Sequence, residues 1–502
     1  MDIFRRKKPA NTTSKPAVPP PSKLAFGGRV WDSDELDPHF VFVGATGSGK
    51  TRNVRMLMRS ALFDADGQLR RRAIIFDAKK EWIPLLNGMK APSVVGDKRK
   101  EEKQWYKILN PLDRRRVSWD IASDVSTRIA TRQLAEYLIP TNENISQPYF
   151  TDSARLVLGA VLNTFTDRAP GEWTLRDVIE ACRTTENLDR VLGAESYGKA
   201  VHERFIRVRS GPEIEATLLS RLGAFTEVAA CGHEEQSNKR ISLQAWLDDE
   251  EPSILLIATD EQADAALGPL NQMLFRRLFE LLSSRPEQPR EGGEPVWVFI
   301  DEARLAGKLD GIDHVLLKGR SKGVHVVLTC QEVQGLHHVY GRERAEELLS
   351  QCTNRAALRT SNAETKSWFT KSIGEQEDWK TSYTETHSSQ PSSSQSQSIK
   401  VESPILGSEF AALPRPSKEG GIAGFFDIPG QGWQRVTVSP EFITRHQGRD
   451  PDGADEGFIP WPDAQRQVLQ PWTDDDLVMR KLRDVEPLSR TSKLKWHNML
   501  DG

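Results

Sequence analysis

The chain has 502 residues, enough for two or three domains and a sizeable core, and its 37% hydrophobic and 28% charged content is that of a folded, water-soluble protein. Lys+Arg at 68 against Asp+Glu at 71 leaves a net charge of -3, which excludes a uniformly basic nucleic-acid binder but not one with a local basic stripe. The four cysteines, Cys182, Cys231, Cys330 and Cys352, are scattered without a C-x-x-C pair, pointing to reduced thiols in a cytoplasmic protein, and no apolar run reaches the roughly 18 residues that a membrane-spanning helix needs.

Residues 1–28 read as a disordered, basic and Pro-rich leader; the basic tip has no apolar h-region after it and is not a signal peptide. His39 to Val43 reads as a buried strand. It runs into Gly44-Ala45-Thr46-Gly47-Ser48-Gly49-Lys50-Thr51, and a helix follows to about Leu62. Gly44, Gly49, Lys50 and Thr51 satisfy the pattern G-x-x-x-x-G-K-[ST] in full. Glycines let the backbone turn its N–H groups inward onto phosphate oxygens, and the helix adds its positive end. Lys50 then reaches the β- and γ-phosphates and the Thr51 hydroxyl ligates Mg²⁺. Ala73 to Phe76 forms a second strand. Asp77 and Glu81 follow it, either near the metal's waters or as helix caps. A third strand around Lys107–Leu109 runs into the Asn110-Pro111 turn.

The first part of an α/β nucleotide-binding domain therefore covers 29–120. From 121 to 247 apolar residues recur at helical spacing, as in Leu134-Ala135-Glu136-Tyr137-Leu138 and Leu156-Val157-Leu158-Gly159-Ala160-Val161-Leu162; this reads as an inserted all-α domain without strands. Ser253–Ile257 resumes the sheet, and 248–445 forms the second part of the α/β domain. A long helix from about Asp264 to Leu282 follows, then a loop at Glu291-Gly292-Gly293. Strands at Val296–Ile300 and Val324–Thr329 come next, and a helix from about Glu343 to Leu349. The Ser/Gln-rich stretch 384–398 reads as a mobile loop, with two edge strands after it. A polar tail, 446–502, carries Trp461, Trp472 and Trp496; it binds a partner or wraps the motor.

A P-loop alone binds nucleotide; hydrolysis needs a second carboxylate site. The strand ending Phe299-Ile300-Asp301-Glu302 supplies one, with Asp301 holding Mg²⁺ through water and Glu302 orienting and deprotonating the attacking water. Lys50 and Asp301 are far apart in sequence, which the all-α insertion explains. Gln331, at the end of the next strand, is placed to sense the γ-phosphate or the lytic water. Arg320 and Arg355 are candidates for an arginine finger reaching a neighbouring subunit.

These residues together resemble the DNA-pumping coupling proteins of conjugation and type IV secretion, the TraD/TrwB group within the FtsK/HerA branch of ring ATPases. The likeness is carried by Gly44–Thr51, Ile108-Leu109-Asn110-Pro111-Leu112-Asp113 with Trp119, Ser242-Leu243 with Trp246-Leu247, Phe299–Glu302, Lys318-Gly319-Arg320 and Gln331, and runs from about His39 to Pro440. It implies a RecA-like P-loop NTPase fold with a mainly parallel sheet. It also implies a homo-hexameric ring that binds ATP and Mg²⁺ and moves single- or double-stranded DNA through its channel, with a relaxase or secretion-channel proteins as partners. Two departures stand out. Relatives usually start with transmembrane helices, which are absent here, so a cytoplasmic chain recruited to the inner membrane through a partner is expected. Relatives also often carry Asp-Pro-x-Gly where this chain has Asp77-Ala78-Lys79-Lys80. The alternative is a P-loop ATPase that acts on protein substrates or as a nucleotide-gated switch in a mobile-element or defence complex.

Overall fold

The computed structural model describes residues 23–90, 105–140, 148–233, 240–288, 294–386, 392–451, 456–461 and 468–490. The leader up to residue 22, the Glu291–Gly293 loop and the tail beyond residue 490 with Trp496 lie outside the described residues. Strands β1 (Lys23–Phe26) and β2 (Arg29–Asp32) form an antiparallel hairpin. The expectation of a disordered leader to residue 28 is thus corrected at its end. Leu24, Ala25 and Phe26 are buried, and Phe26 meets Phe40, Phe42 and Phe426 edge-on. That burial orders a segment whose Pro-rich neighbours hide it in the sequence.

β3 (His39–Val43), β4 (Arg72–Asp77) and β5 (Tyr106–Leu109) begin the main sheet. β6 (Ser118–Trp119) and β7 (Arg240–Ile241) pair in parallel where a helical block leaves and rejoins it. The expectation of a strandless insertion is corrected there: two residues suffice for a bridge, too few for any periodic signal. β8 (Ile254–Ala258), β9 (Val296–Ile300), β10 (Val324–Cys330) and β11 (Asn354–Ala357) complete the parallel part. β12 (Gln376–Thr386) and β13 (Ser392–Glu402) form a separate antiparallel arm. This corrects the expected mobile loop at 384–398, of which residues 387–391 are outside the described residues. The arm is held by backbone pairing along its whole length, so it lacks the apolar alternation by which strands are recognised. β14 (Ile422–Ile428) and β15 (Gly432–Val438) close the set.

The nine-stranded sheet runs β15-β14-β11-β3-β10-β9-β4-β8-β5. Pairings from β11 to β5 are parallel, and β14 and β15 add an antiparallel edge. β3, β8 and β9 are buried along their entire length, as a sheet covered on both faces requires. One face packs Val41, Phe76, Val298 and Leu328 against helix Asp264–Ser284. The other packs Phe40, Phe42, Ile75 and Phe299 against helix Lys50–Leu62. The chain is therefore a RecA-like α/β P-loop fold with a helical domain.

The helical block has its own core around Leu134, Leu158, Phe165, Trp173 and Leu218. Its neck is built from residues that carried the family likeness. The Trp119 indole donates to Asp124 at 2.7 Å, and Asp124 accepts from the Ser242 hydroxyl at 2.9 Å and the Leu243 N–H at 2.8 Å. The Trp246 indole donates to Ser253 at 2.9 Å.

The segment after His446 folds back over both parts. Arg55 pairs with Asp450 at 2.9 Å, and the Arg116 guanidinium stacks over Trp461. Buried Arg176 pairs with Asp476 at 3.0 Å, and Arg490 reaches Asp189 at 2.6 Å. Of the two readings of the tail, its described residues wrap the molecule.

Candidate functional site

The loop after β3 is fixed by backbone bonds before any side chain acts. The Gly44 N–H donates to the Cys330 carbonyl at 3.2 Å, the Ala45 N–H to Arg359 at 2.9 Å and the Ser48 N–H to Ala45 at 3.1 Å. A Cβ at Gly44 would lie 2.7 Å from Leu358 Cβ, so only glycine fits between these strands. Gly47 (φ 73°) and Gly49 (φ 96°) occupy left-handed backbone. Nothing lies within 4 Å of a Cβ built on Gly47, so the crest of the loop faces open space.

Helix Lys50–Leu62 then starts with no capping side chain and no acidic residue in its first turn. Lys50 and Arg52 add positive charge where the helix dipole is already positive, an arrangement that favours a bound anion. The Ser48 hydroxyl is buried without a hydrogen-bond partner among the described residues. Lys50 Nζ rests on the carbonyl of Gly44. Burial lowers its pKa, against the pull of Glu302. A cavity of about 310 Å³ opens here, lined by Thr46, Gly47, Lys50, Thr51, Arg52 and Lys79 among others. These features fit a polyphosphate.

β9 brings the carboxylates to the same edge, because β10 lies between β3 and β9 and all three run parallel. Asp301 and Glu302 are both 5% exposed. The Thr329 hydroxyl donates to Asp301 Oδ1 at 2.8 Å and accepts the Glu302 N–H at 2.9 Å, tying the two residues together. Glu302 has φ 51°, a left-handed conformation rare outside glycine that turns its side chain back to the loop. Its Oε1 lies 3.7 Å from Lys50 Nζ and 3.4 Å from Lys79 Nζ. Burial raises the Asp301 carboxyl above its ordinary range, opposed by the Thr329 hydrogen bond and by Lys79.

The remaining sequence candidates fall in different places. Gln331 belongs to this edge, where its Oε1 accepts from Thr46 Oγ1 at 3.2 Å. Asp77 acts as a cap: its carboxylate accepts the N–H groups of Glu81 at 3.1 Å and Trp82 at 3.0 Å, and Glu81 begins helix Trp82–Met89 as its N-cap residue. Arg320 lies before β10, at the opposite edge of the sheet from the loop, 3.5 Å from Asp37. Arg355 lies on β11, donates from Nε to the Cys352 carbonyl at 2.9 Å and faces the Trp368 ring. Neither arginine meets the loop within one chain. Two site residues were not read from the sequence. Thr329 is one of many strand threonines; only its position opposite Asp301 marks it. Lys79 sat in plain view in the run that departs from Asp-Pro-x-Gly, and that departure was the available signal.

Together these groups can bind a phosphate chain, neutralise its charge and aim a carboxylate at it. Among the described residues, no helix is long and apolar enough to cross a membrane. Coupling protein TraD of Escherichia coli (strain K12) is 23% identical over 442 residues, covering 84% of this chain and 57% of TraD, so the chain matches little more than half of that relative's length. Among solved structures, the bacterial conjugative coupling protein TrwBdeltaN70 in its unbound monoclinic form superposes with a TM-score of 0.63 at 20% identity, covering 87% of this chain and 91% of that one. The plasmid coupling protein TrwB in complex with ADP and Mg²⁺ gives 0.63 at 19% identity over 87% and 91%. Its complex with the non-hydrolysable ATP analogue ADPNP gives 0.61 at 20% identity over 87% and 92%. These likenesses establish a shared fold. Residues 24–429 match the family described as the type IV secretion-system coupling protein DNA-binding domain, and the chain belongs to that family.

Proposed function

We propose that this chain is a Mg²⁺-dependent ATPase that moves or delivers DNA, working as a homo-hexameric ring. The observation that carries the reading is the meeting of Lys50 and Glu302 at 3.7 Å, which joins the phosphate cradle to a buried carboxylate. The backbone of Gly44–Thr51 and the Lys50 ammonium bind the phosphates. Thr51 and Asp301 would hold Mg²⁺, which supplies neutralisation of phosphate charge. Glu302 orients the attacking water and takes its proton, and Gln331 reports on the same edge of the site. Two arginines are offered for a finger acting across a subunit boundary. Arg320 is the more exposed of the two, with 61% of its side chain accessible and a 3.5 Å contact to Asp37, whereas Arg355 donates to the Cys352 carbonyl.

DNA as substrate is supported by the description of the family and by the coupling-protein names of the relatives. The family description also supports a secretion-system protein as partner. The test is ATP turnover with and without single- and double-stranded DNA across ionic strengths. DNA should raise the rate, and the stimulation should fade as salt rises. Turnover indifferent to both DNA forms at every salt concentration would overturn the DNA motor and favour a protein substrate.

A further inference from the structure

The two adjacent lysines after β4 have been sent in opposite directions. Lys80, at φ 59°, pairs with Asp260 and lies over the Phe458 ring. Lys79 points into the phosphate cavity and places Nζ 3.4 Å from Glu302 Oε1. The turn that holds them is anchored by Asp77, whose carboxylate accepts the N–H groups of Glu81 and Trp82. The backbone is therefore held while the Lys79 side chain, 34% exposed, reaches along the cavity wall. Around the cavity, two buried carboxylates, Asp301 and Glu302, face three cations, Lys50, Lys79 and Arg52. A triphosphate entering this set adds several negative charges. A terminal phosphate within reach of Lys79 competes with Glu302 for its ammonium, and Lys50, 3.7 Å away, remains beside the carboxylate that is released.

We propose that Lys79 is a phosphate-exchanged latch on Glu302. Without nucleotide, its ammonium is held by the Glu302 carboxylate, which is thereby neutralised. When a nucleoside triphosphate is bound, Lys79 transfers to the terminal phosphate and leaves Glu302 free to accept a proton from water. Lys79 is then a positioning residue for Glu302 and a discriminator of triphosphate from diphosphate, because only the former carries the group it moves to. The inference rests on the nucleotide reading above.

The test compares the affinity of the intact chain for ADP and for a non-hydrolysable ATP analogue, with turnover measured in parallel. Lys79→Gln should weaken the analogue by about tenfold or more relative to ADP and lower kcat, whereas Lys79→Arg should keep most of the preference. Combined with Glu302→Gln, the effects on analogue affinity should be non-additive, since each substitution dissolves the same ion pair. An unchanged triphosphate-to-diphosphate ratio in Lys79→Gln, or strict additivity with Glu302→Gln, would overturn the latch while leaving the nucleotide site intact. Failure of the wild-type chain to bind either nucleotide would overturn the nucleotide reading and the latch with it.

Discussion

At the residue scale, charge is concentrated on a few atoms at the sheet edge. Asp77 shows how burial is used there without chemistry. Its carboxyl is pushed up to about 6 by burial and, to a lesser extent, by Asp301, while the N–H groups of Trp82 and Glu81 pull it down. A native pKa above the unfolded value means that the folded state binds the proton more tightly. The stability this group contributes is therefore full below about pH 4 and lost as pH rises through 6. Unfolding free energies of the wild type and Asp77→Asn, measured from pH 4 to 7, should diverge across that window, with the wild type losing stability relative to the variant as pH rises. Parallel curves would contradict the assignment. Much of this site was legible in the sequence. Gly44–Thr51 encodes its own geometry in local spacing, and Asp301-Glu302 ends an unmistakable apolar strand. Thr329 and Lys79 act across strands, through contacts that no window of sequence contains.

At the element scale, the segment after His446 behaves as a strap. Arg176 is fully buried and donates to the Gln470 carbonyl at 2.9 Å, the Pro471 carbonyl at 2.8 Å and Asp476 at 3.0 Å. Arg480 crosses to Asp177 at 2.8 Å, and the Trp472 indole donates to the same residue at 2.8 Å. Removing Arg176 leaves Asp476 and two strap carbonyls short of a donor. Arg176→Ala should therefore cost about 3 kcal/mol in urea unfolding. A loss under about 0.5 kcal/mol would mean that the strap is only laid on the surface. The sequence showed this segment as polar and tryptophan-dotted but gave no partner for it, because ion pairs hundreds of positions apart have no local signature. The arm of β12 and β13 has no sequence signature for a related reason: its strands pair through the backbone, which composition does not record. The helical block was legible because its apolar residues repeat at helical spacing, whereas the neck bridge of β6 and β7 is too short to repeat.

At the scale of the whole molecule, the sheet places the phosphate loop, the acidic strand end and Gln331 on one edge, and Arg320 on the other. That polarity suits a ring in which each subunit offers one edge to its neighbour's opposite edge. The helical block is joined to the sheet at a neck where Trp119, Asp124 and the Ser242 turn are hydrogen-bonded together.

In the proposed function, the cradle of Gly44–Thr51 and the carboxylate of Glu302 form one hydrolysis site. The most direct test is Glu302→Gln, with ATP affinity and steady-state turnover measured on the same preparation. Affinity should stay within about threefold of wild type while turnover falls by roughly 100-fold or more. Wild-type turnover in a variant that binds ATP normally would contradict it.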